Sequence, residues 1–187
     1  MRVLLFITLI ANGQEQLKTK IHLQPIESKN QEDYIILLKD PRVEENHTAF
    51  ESKRTDTRLK QEFKYRLQET EDLFKHYAIY YEKVFVGYIY IFTDNSSPNI
   101  VYIAYSLLPK YWNKGIGTIA VEKILYALKN KLKSRGYKYI YATIKTQNIG
   151  SQKILLKNNF KYQQEENGEK KTKIINGFVS YVLELKL

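Results

Sequence analysis

The sequence predicts an α+β domain: a mixed, mostly antiparallel sheet of about six to seven strands with helices on both faces. Three observations predict it. Two stretches rich in Tyr, Ile and Val, "YAIYYEKVFVGYIYIF" and "NIVYIAYSLL", read as three consecutive antiparallel strands. A strand–helix–strand unit follows at once, which places one parallel pair inside an otherwise antiparallel set. Helical patterns lie both before and after these strands, so apolar stripes need a sheet face at both ends of the chain.

Composition sets the limits. The 187 residues suit one domain with a real core, or one domain plus an extension. Hydrophobic content of 43% against 27% charged describes a globular chain. There is no cysteine, so disulfides and thiolate metal sites are excluded. His22, His47 and His76 show no ligand spacing, and no metal is expected. The formal charge of +10 favours anionic partners in general, or simply solubility, since the lysines are spread out. No nucleic-acid motif is present, and no RNA partner is expected.

The elements follow in order. Residues 1–18 form an N-terminal extension before a domain at 19–187. Its apolar run Val3–Ile10 is too short to span a bilayer as a helix, and reads as an extra strand or a signal-like segment. "IHLQPIE" alternates and reads as a strand stopped near Pro25. "NQEDYIILLKDPRV" reads as a short helix finishing at or before Asp40, because Pro41 restricts the residue before it. "TDTRLKQEFKYRLQETEDLFKHY" reads as one helix capped by Thr55 or Asp56, with Leu59, Phe63, Leu67 and Phe74 near helical spacing. The next stretch is long enough for a hairpin turning near Glu82–Lys83.

After the third strand comes a helix with Val121, Leu125, Leu128 and Leu132 on one stripe and Gly136 placed to end it. In "YIYATIK", Ile140, Ala142 and Ile144 face one way and Tyr139, Tyr141 and Thr143 the other. "NIGSQKILLKNN" is a second helix with Asn148 as its N-cap. "FKYQQ" and "FVSYVLELKL" are late strands joined by a polar loop.

The chemistry begins at "YWNKGIGT", Tyr111–Thr118. A strand ends, a loop follows, and a helix starts near Ile116. Backbone N–H groups at a helix start are unpaired, carry partial positive charge and receive phosphates readily. Gly115 and Gly117 admit an anion to the main chain, and Lys114 adds charge. A glycine turn before a helix is the plain alternative. The spacing matches neither a dinucleotide fingerprint nor a P-loop.

Two separated segments carry a family resemblance. "IAYSLLPKYWNKGIGTIAVEKIL" resembles the acetyl-coenzyme A segment of the GNAT acetyltransferases, and within them the ribosomal-protein N-terminal acetyltransferase branch. "NIGSQKILLKNNF" resembles the family's Asn-x-x-Ser helix, with Asn148, Ser151, Lys157 and Phe160 at matching offsets. The likeness covers roughly residues 19–187. Asn113 and Asn159 stand where Gly is usual, and Asn tolerates positive φ. Leu155 stands where many members carry a general-acid Tyr.

The resemblance implies the acyl-CoA N-acyltransferase fold and transfer of an acetyl group from acetyl-CoA to a primary amine. The acceptor is a protein N-terminus, or a small amine such as a polyamine or aminoglycoside. A basic RNA- or ribosome-binding module with a non-catalytic version of the fold is the alternative of another class. Leu107 or Leu108 would supply the backbone N–H that polarises the thioester carbonyl. Trp112, Asn113, Lys114, Gly115, Ile116, Gly117 and Thr118 would hold the donor, with Asn148 and Ser151 on its arm. Ser151 would be the proton donor or thiol partner, or only a first-turn capping residue. Glu165 is the candidate base, beside Glu166 and Gln163, with a solvated loop as the plain reading of the two Glu. A cytoplasmic enzyme, monomeric or homodimeric, without a membrane span, completes the expectation.

Overall fold

Strand patterns separated by tight turns build the centre of the molecule. The computed structural model describes residues 13, 15–47, 54–71, 73–94, 97–163 and 177–185. Seven strands form one sheet: β1 (Ile21–Pro25), β2 (His76–Tyr81), β3 (Val84–Thr93), β4 (Ile100–Leu107), β5 (Tyr139–Lys145), β6 (Lys161–Tyr162) and β7 (Phe178–Glu184). Their spatial order is β1-β2-β3-β4-β5-β7-β6. Every pair is antiparallel except β4–β5, whose crossover is a helix. This is the acyl-CoA N-acyltransferase fold. The β2–β3 turn falls at Glu82 and Lys83, both at positive φ.

Five helices carry labels: α1 (Gln31–Lys39), α2 (Pro41–Glu45), α3 (Asp56–Leu67), α4 (Ile116–Ser134) and α5 (Ile149–Lys157). Helix α1 ends before Asp40 as the proline requires. Asp40 then caps α2, accepting from the Arg42 amide, with Pro41 pre-set at the first helical position. Gly136, at φ 85, ends the turn after α4. Residues 15–20 are also helical, and Leu17, inside the 1–18 stretch, packs on the main core. Val3–Ile10 lies outside the described residues.

Two cores lie on opposite sheet faces. Helices α4 and α5 cover the larger, with Val121, Leu128, Ile140, Ala142 and Leu155. Helices α1 to α3 cover the smaller, with Tyr34, Leu37, Leu59, Phe63 and Tyr88. This division corrects one expectation. The helix begun at Thr55 stops at Leu67 instead of running on to Tyr77. Leu59 and Phe63 belong to the small core, whereas Leu73 and Phe74 pack into the large one. One straight helix cannot reach both faces of a sheet, so the chain leaves the helix to cross. An ion pair between Glu71 and Arg135 ties the crossing segment to the end of α4. The last strands are also shorter than their patterns suggest, β6 being two residues long.

A polar cluster sits beneath α3. The Arg66 guanidinium donates to Glu62 Oε1 at 2.6 Å and meets His76 Nε2 at 2.6 Å. A guanidinium only donates, so Nε2 is the acceptor and the imidazole proton is on Nδ1. Burial, then the Arg66 charge, pushes the His76 pKa down to about 3. The unfolded chain takes up a proton near pH 6.5, while the folded one resists until far lower pH. Stability contributed by neutral His76 is therefore lost as pH falls from 6.5 toward 3. Between pH 7 and 4.5 the loss is on the order of 2–3 kcal/mol. Thermal melts across that range should show a steep decline that becomes shallower in His76→Phe; equal slopes would contradict it.

Candidate active site

The site arises where the sheet splits. Strands β4 and β5 pair over only three positions: Ile100 with Tyr139, Val101 with Ile140, and Tyr102 with Tyr141. Beyond Tyr102 no pairing joins them, although β4 continues to Leu107 and β5 to Lys145. The opening becomes a cleft of about 520 Å³. One end lies at the start of α4 and the other beside Val43, Asn46 and His47.

Antiparallel pairing decides which β4 amides face the gap. The Leu108 N–H donates to the Val86 carbonyl at 2.8 Å, so Leu108 is turned toward β3. Alternate residues point the other way. The N–H groups of Tyr105 and Leu107 therefore lie along the edge facing β5. Of the two residues expected to offer an amide, Leu107 lines the cleft; Leu108 is committed elsewhere. Tyr105 joins it, a residue that sequence reasoning missed although it shares parity with Leu107.

The loop after β4 supplies the second wall. Asn113 and Gly115 both take left-handed conformations, with φ of 59 and 79. Asn113 thus keeps the turn that glycine usually makes, and Asn159 does the same at φ 65 after α5. Helix α4 begins at Ile116 with Gly115 as N-cap and no side chain capping it. The first amides of Ile116, Gly117 and Thr118 thus receive no cap from a Gly115 side chain, and all three residues line the cleft.

Gly117 also meets a packing constraint. A Cβ there would come within 2.6 Å of Ile154 Cδ1 and 3.3 Å of Leu107 Cδ1. Close packing of α4 on α5 and β4 thus favours a small residue at this position, whereas Gly115 answers to backbone conformation. The anion argument therefore rests on the open first turn rather than on the glycines themselves.

Trp112 is half-buried and packs against both cores. Its indole Nε1–H donates to the Leu107 carbonyl at 2.8 Å, which fixes the end of β4 against the loop. Lys114 stacks over the Tyr111 ring at 5.5 Å, and Tyr111 also lines the cleft.

Helix α5 forms the third wall. Asn148 caps it by accepting from the Ser151 amide at 3.0 Å, so its oxygen is committed and only its NH₂ remains to donate. Ser151, Lys153, Ile154 and Lys157 line the cleft. Lys157 was named only as a position matching the family helix, and Lys153 was missed, although Gly150, Lys153 and Lys157 share one helical face. Asn158 is buried and donates to the Thr118 carbonyl at 3.1 Å and the Ile154 carbonyl at 2.9 Å. It ties the end of α5 to the first turn of α4. Leu155 is fully buried in the core, so no acid reaches the cleft from that position. Glu165 and Glu166 lie outside the described residues.

At the far end His47 is held neutral. Burial first, and Arg54 next, push its pKa down to about 4; Glu62 opposes them, and Arg66 and Lys145 add to them. Lys145 Nζ donates to the Glu45 carbonyl at 2.6 Å, pinning the end of α2 across to β5.

An elongated cleft with backbone donors at a split strand and an open helix start suits a long phosphorylated donor. The uncapped turn, with Lys114, Lys153 and Lys157 near it, fits a pyrophosphate, and the β4 edge fits an amide-bearing arm. Comparison with known proteins agrees. The acetyltransferase (GNAT) domain family matches residues 20–161. A GNAT-family acetyltransferase from Bacillus anthracis is 17% identical with a TM-score of 0.67, over 89% of this chain and 95% of that one. RimL, a ribosomal L7/L12 α-N-protein acetyltransferase, is 14% identical with a TM-score of 0.67, over 90% and 92%. An acetyltransferase from Salmonella typhimurium, yncA, solved with its cofactor acetyl-CoA, is 15% identical with a TM-score of 0.60, over 89% and 95%. Among curated proteins a sequence search found no match. The split sheet, the open helix start and the matched domain together place the chain in the GNAT family of acetyl-CoA-dependent acetyltransferases.

Proposed function

We propose that the enzyme acetylates protein N-terminal α-amino groups. The observation that carries this reading is the end of the cleft away from α4, taken here as the acceptor end, where His47 is a neutral imidazole with a depressed pKa. Such a group accepts a proton poorly. An α-amino group near pKa ~8 needs about 1.4 kcal/mol to become neutral at pH 7, whereas a lysine near ~10.4 needs about 4.6 kcal/mol. A site with a weak base suits the first far better. The resemblance of the Tyr111–Thr118 segment to the ribosomal-protein branch points the same way.

In this reading the first turn of α4 and Lys114 hold the pyrophosphate. The β4 edge receives the thioester carbonyl and stabilises charge as it grows on oxygen. The neutral amine attacks the carbonyl carbon, the carbon–sulfur bond breaks, and the amine loses its proton. Glu165 or water relays that proton outward.

Two measurements test this. In an acceptor panel, peptides with free N-termini should exceed polyamines, aminoglycosides and Nα-blocked lysine peptides in kcat/KM; a preferred polyamine would overturn the proposal. For the best peptide, kcat/KM should rise about tenfold per pH unit below ~8 and then level. No separate limb is expected near pH 6.5, because His47 is already neutral there. A rise that continues toward pH 10 would indicate a lysine-type acceptor.

A further inference from the structure

The position that many relatives give to a general-acid tyrosine is Leu155, sealed in the core. A thiol of pKa near ~8.5 can depart without an acid, but a donor assists as charge arrives on sulfur when the carbon–sulfur bond breaks. Tyr105 reaches the right region from a different element. It stands on β4, lines the cleft, and projects from the strand edge toward α5. Its hydroxyl donates to the Ser151 carbonyl across 3.4 Å, a long bond that leaves the proton easily redirected. The main-chain amides of Tyr105 and Leu107 face the gap, so an acyl group resting on them lies between β4 and Ser151. The tyrosine hydroxyl closes the same space from the side of α5.

We infer that Tyr105 is a catalytic residue whose hydroxyl hydrogen-bonds the sulfur of coenzyme A as it leaves. The inference rests on the acetyl-CoA reading of the cleft. It does not depend on which amine is acetylated. Electrons and protons balance as follows. The amine nitrogen forms the new bond to the carbonyl carbon, and the carbon–sulfur pair moves to sulfur. Tyr105 lends its O–H to that pair and keeps its proton. Burial raises its phenol above the ordinary tyrosine range, and the Ser151 side chain opposes that rise. A free thiol has a pKa near ~8.5, so the phenol is the weaker acid throughout. The proton that finally neutralises the thiolate is the equivalent of the one the amine released. Tyr105 therefore acts as a fixed neutral donor, a charge-assisted hydrogen bond that exists only once sulfur is negative.

The test measures affinity for coenzyme A and for desulfo-coenzyme A by calorimetry at several pH values. A donor on the sulfur lowers the pKa of the bound thiol. The affinity ratio of coenzyme A to desulfo-coenzyme A should then rise about tenfold between pH ~6.5 and ~9.5 in the wild type. In Tyr105→Phe the ratio should stay flat, while desulfo-coenzyme A binding stays within about twofold and kcat falls about tenfold or more. An equal rise in both proteins overturns the inference. A flat ratio in the wild type also overturns it. If neither ligand binds a folded wild-type protein, the donor reading fails instead, which is a distinct outcome. Should Tyr105→Phe not fold, site-specific 3-fluorotyrosine at 105 preserves packing and acidifies the phenol. It should steepen the rise, and an unchanged curve overturns the role.

Discussion

Gly87→Ala is expected to lower the melting temperature by roughly 6–12 °C, from a loss of about 3 kcal/mol. Gly87 lies opposite Leu107 in the β3–β4 ladder. A Cβ at Gly87 would be driven into the Ser106 carbonyl oxygen, and would stand 2.8 Å from Leu107 Cδ2 and 3.0 Å from Leu107 Cα. Two of these are backbone atoms, which cannot swing aside as a side-chain tip can. Relief requires β3 to part from β4 at the end of the pairing. That moves the Leu107 amide and the carbonyl held by Trp112, so acetyl-CoA affinity should fall with stability. Thermal melts with and without acetyl-CoA check both effects. A melting point within about 2 °C of wild type would show that β4 adapts, contrary to this account.

Gly117→Trp should weaken acetyl-CoA binding at least ~100-fold, about 2.7 kcal/mol. The substituent points at Ile154 and Leu107, two residues that line the cleft. An indole there must wedge α5 away from α4 and distort the first turn that receives the phosphates. The informative control is Gly117→Ala. Its Cβ meets chiefly Ile154 Cδ1, the free end of a flexible side chain, which can rotate away. Alanine should therefore bind within a few-fold of wild type, whereas tryptophan should not. Calorimetry on both, after a check of folding by circular dichroism, reads the difference. Equal loss in the two variants would mean that ligand atoms rather than Ile154 occupy the space beside Gly117.

Much of this was legible in the sequence, for identifiable reasons. Period-2 alternation in Ile140, Ala142 and Ile144 fixes the face of β5 without help from the rest of the fold. Positive φ at Asn113 and Asn159 follows from the tolerance of asparagine. The helix begun at Thr55 misled because Phe74 happens to keep the spacing. Only the two-core arrangement shows that Phe74 belongs to the other side of the sheet. Within the site, the loop and α5 could be read as contiguous segments. His47 and Tyr105 could not, because the end of α2 and β4 meet α5 only once the sheet splits. The packing neighbour of Gly117 was not legible for a related reason: Ile154 is remote in sequence.

The three-pair β4–β5 junction has a consequence for inheritance. The donors that the first turn of α4 and the β4 edge offer to the cleft are main-chain amides, and a mutation that changes a side chain leaves them in place. What must be copied faithfully is a path of the chain: a strand that stops pairing, a turn with two left-handed residues, a helix left uncapped. Many different sequences can trace that path. Identities of 14–17% to structures that superpose at TM-scores of 0.60–0.67 are what such a site would leave behind.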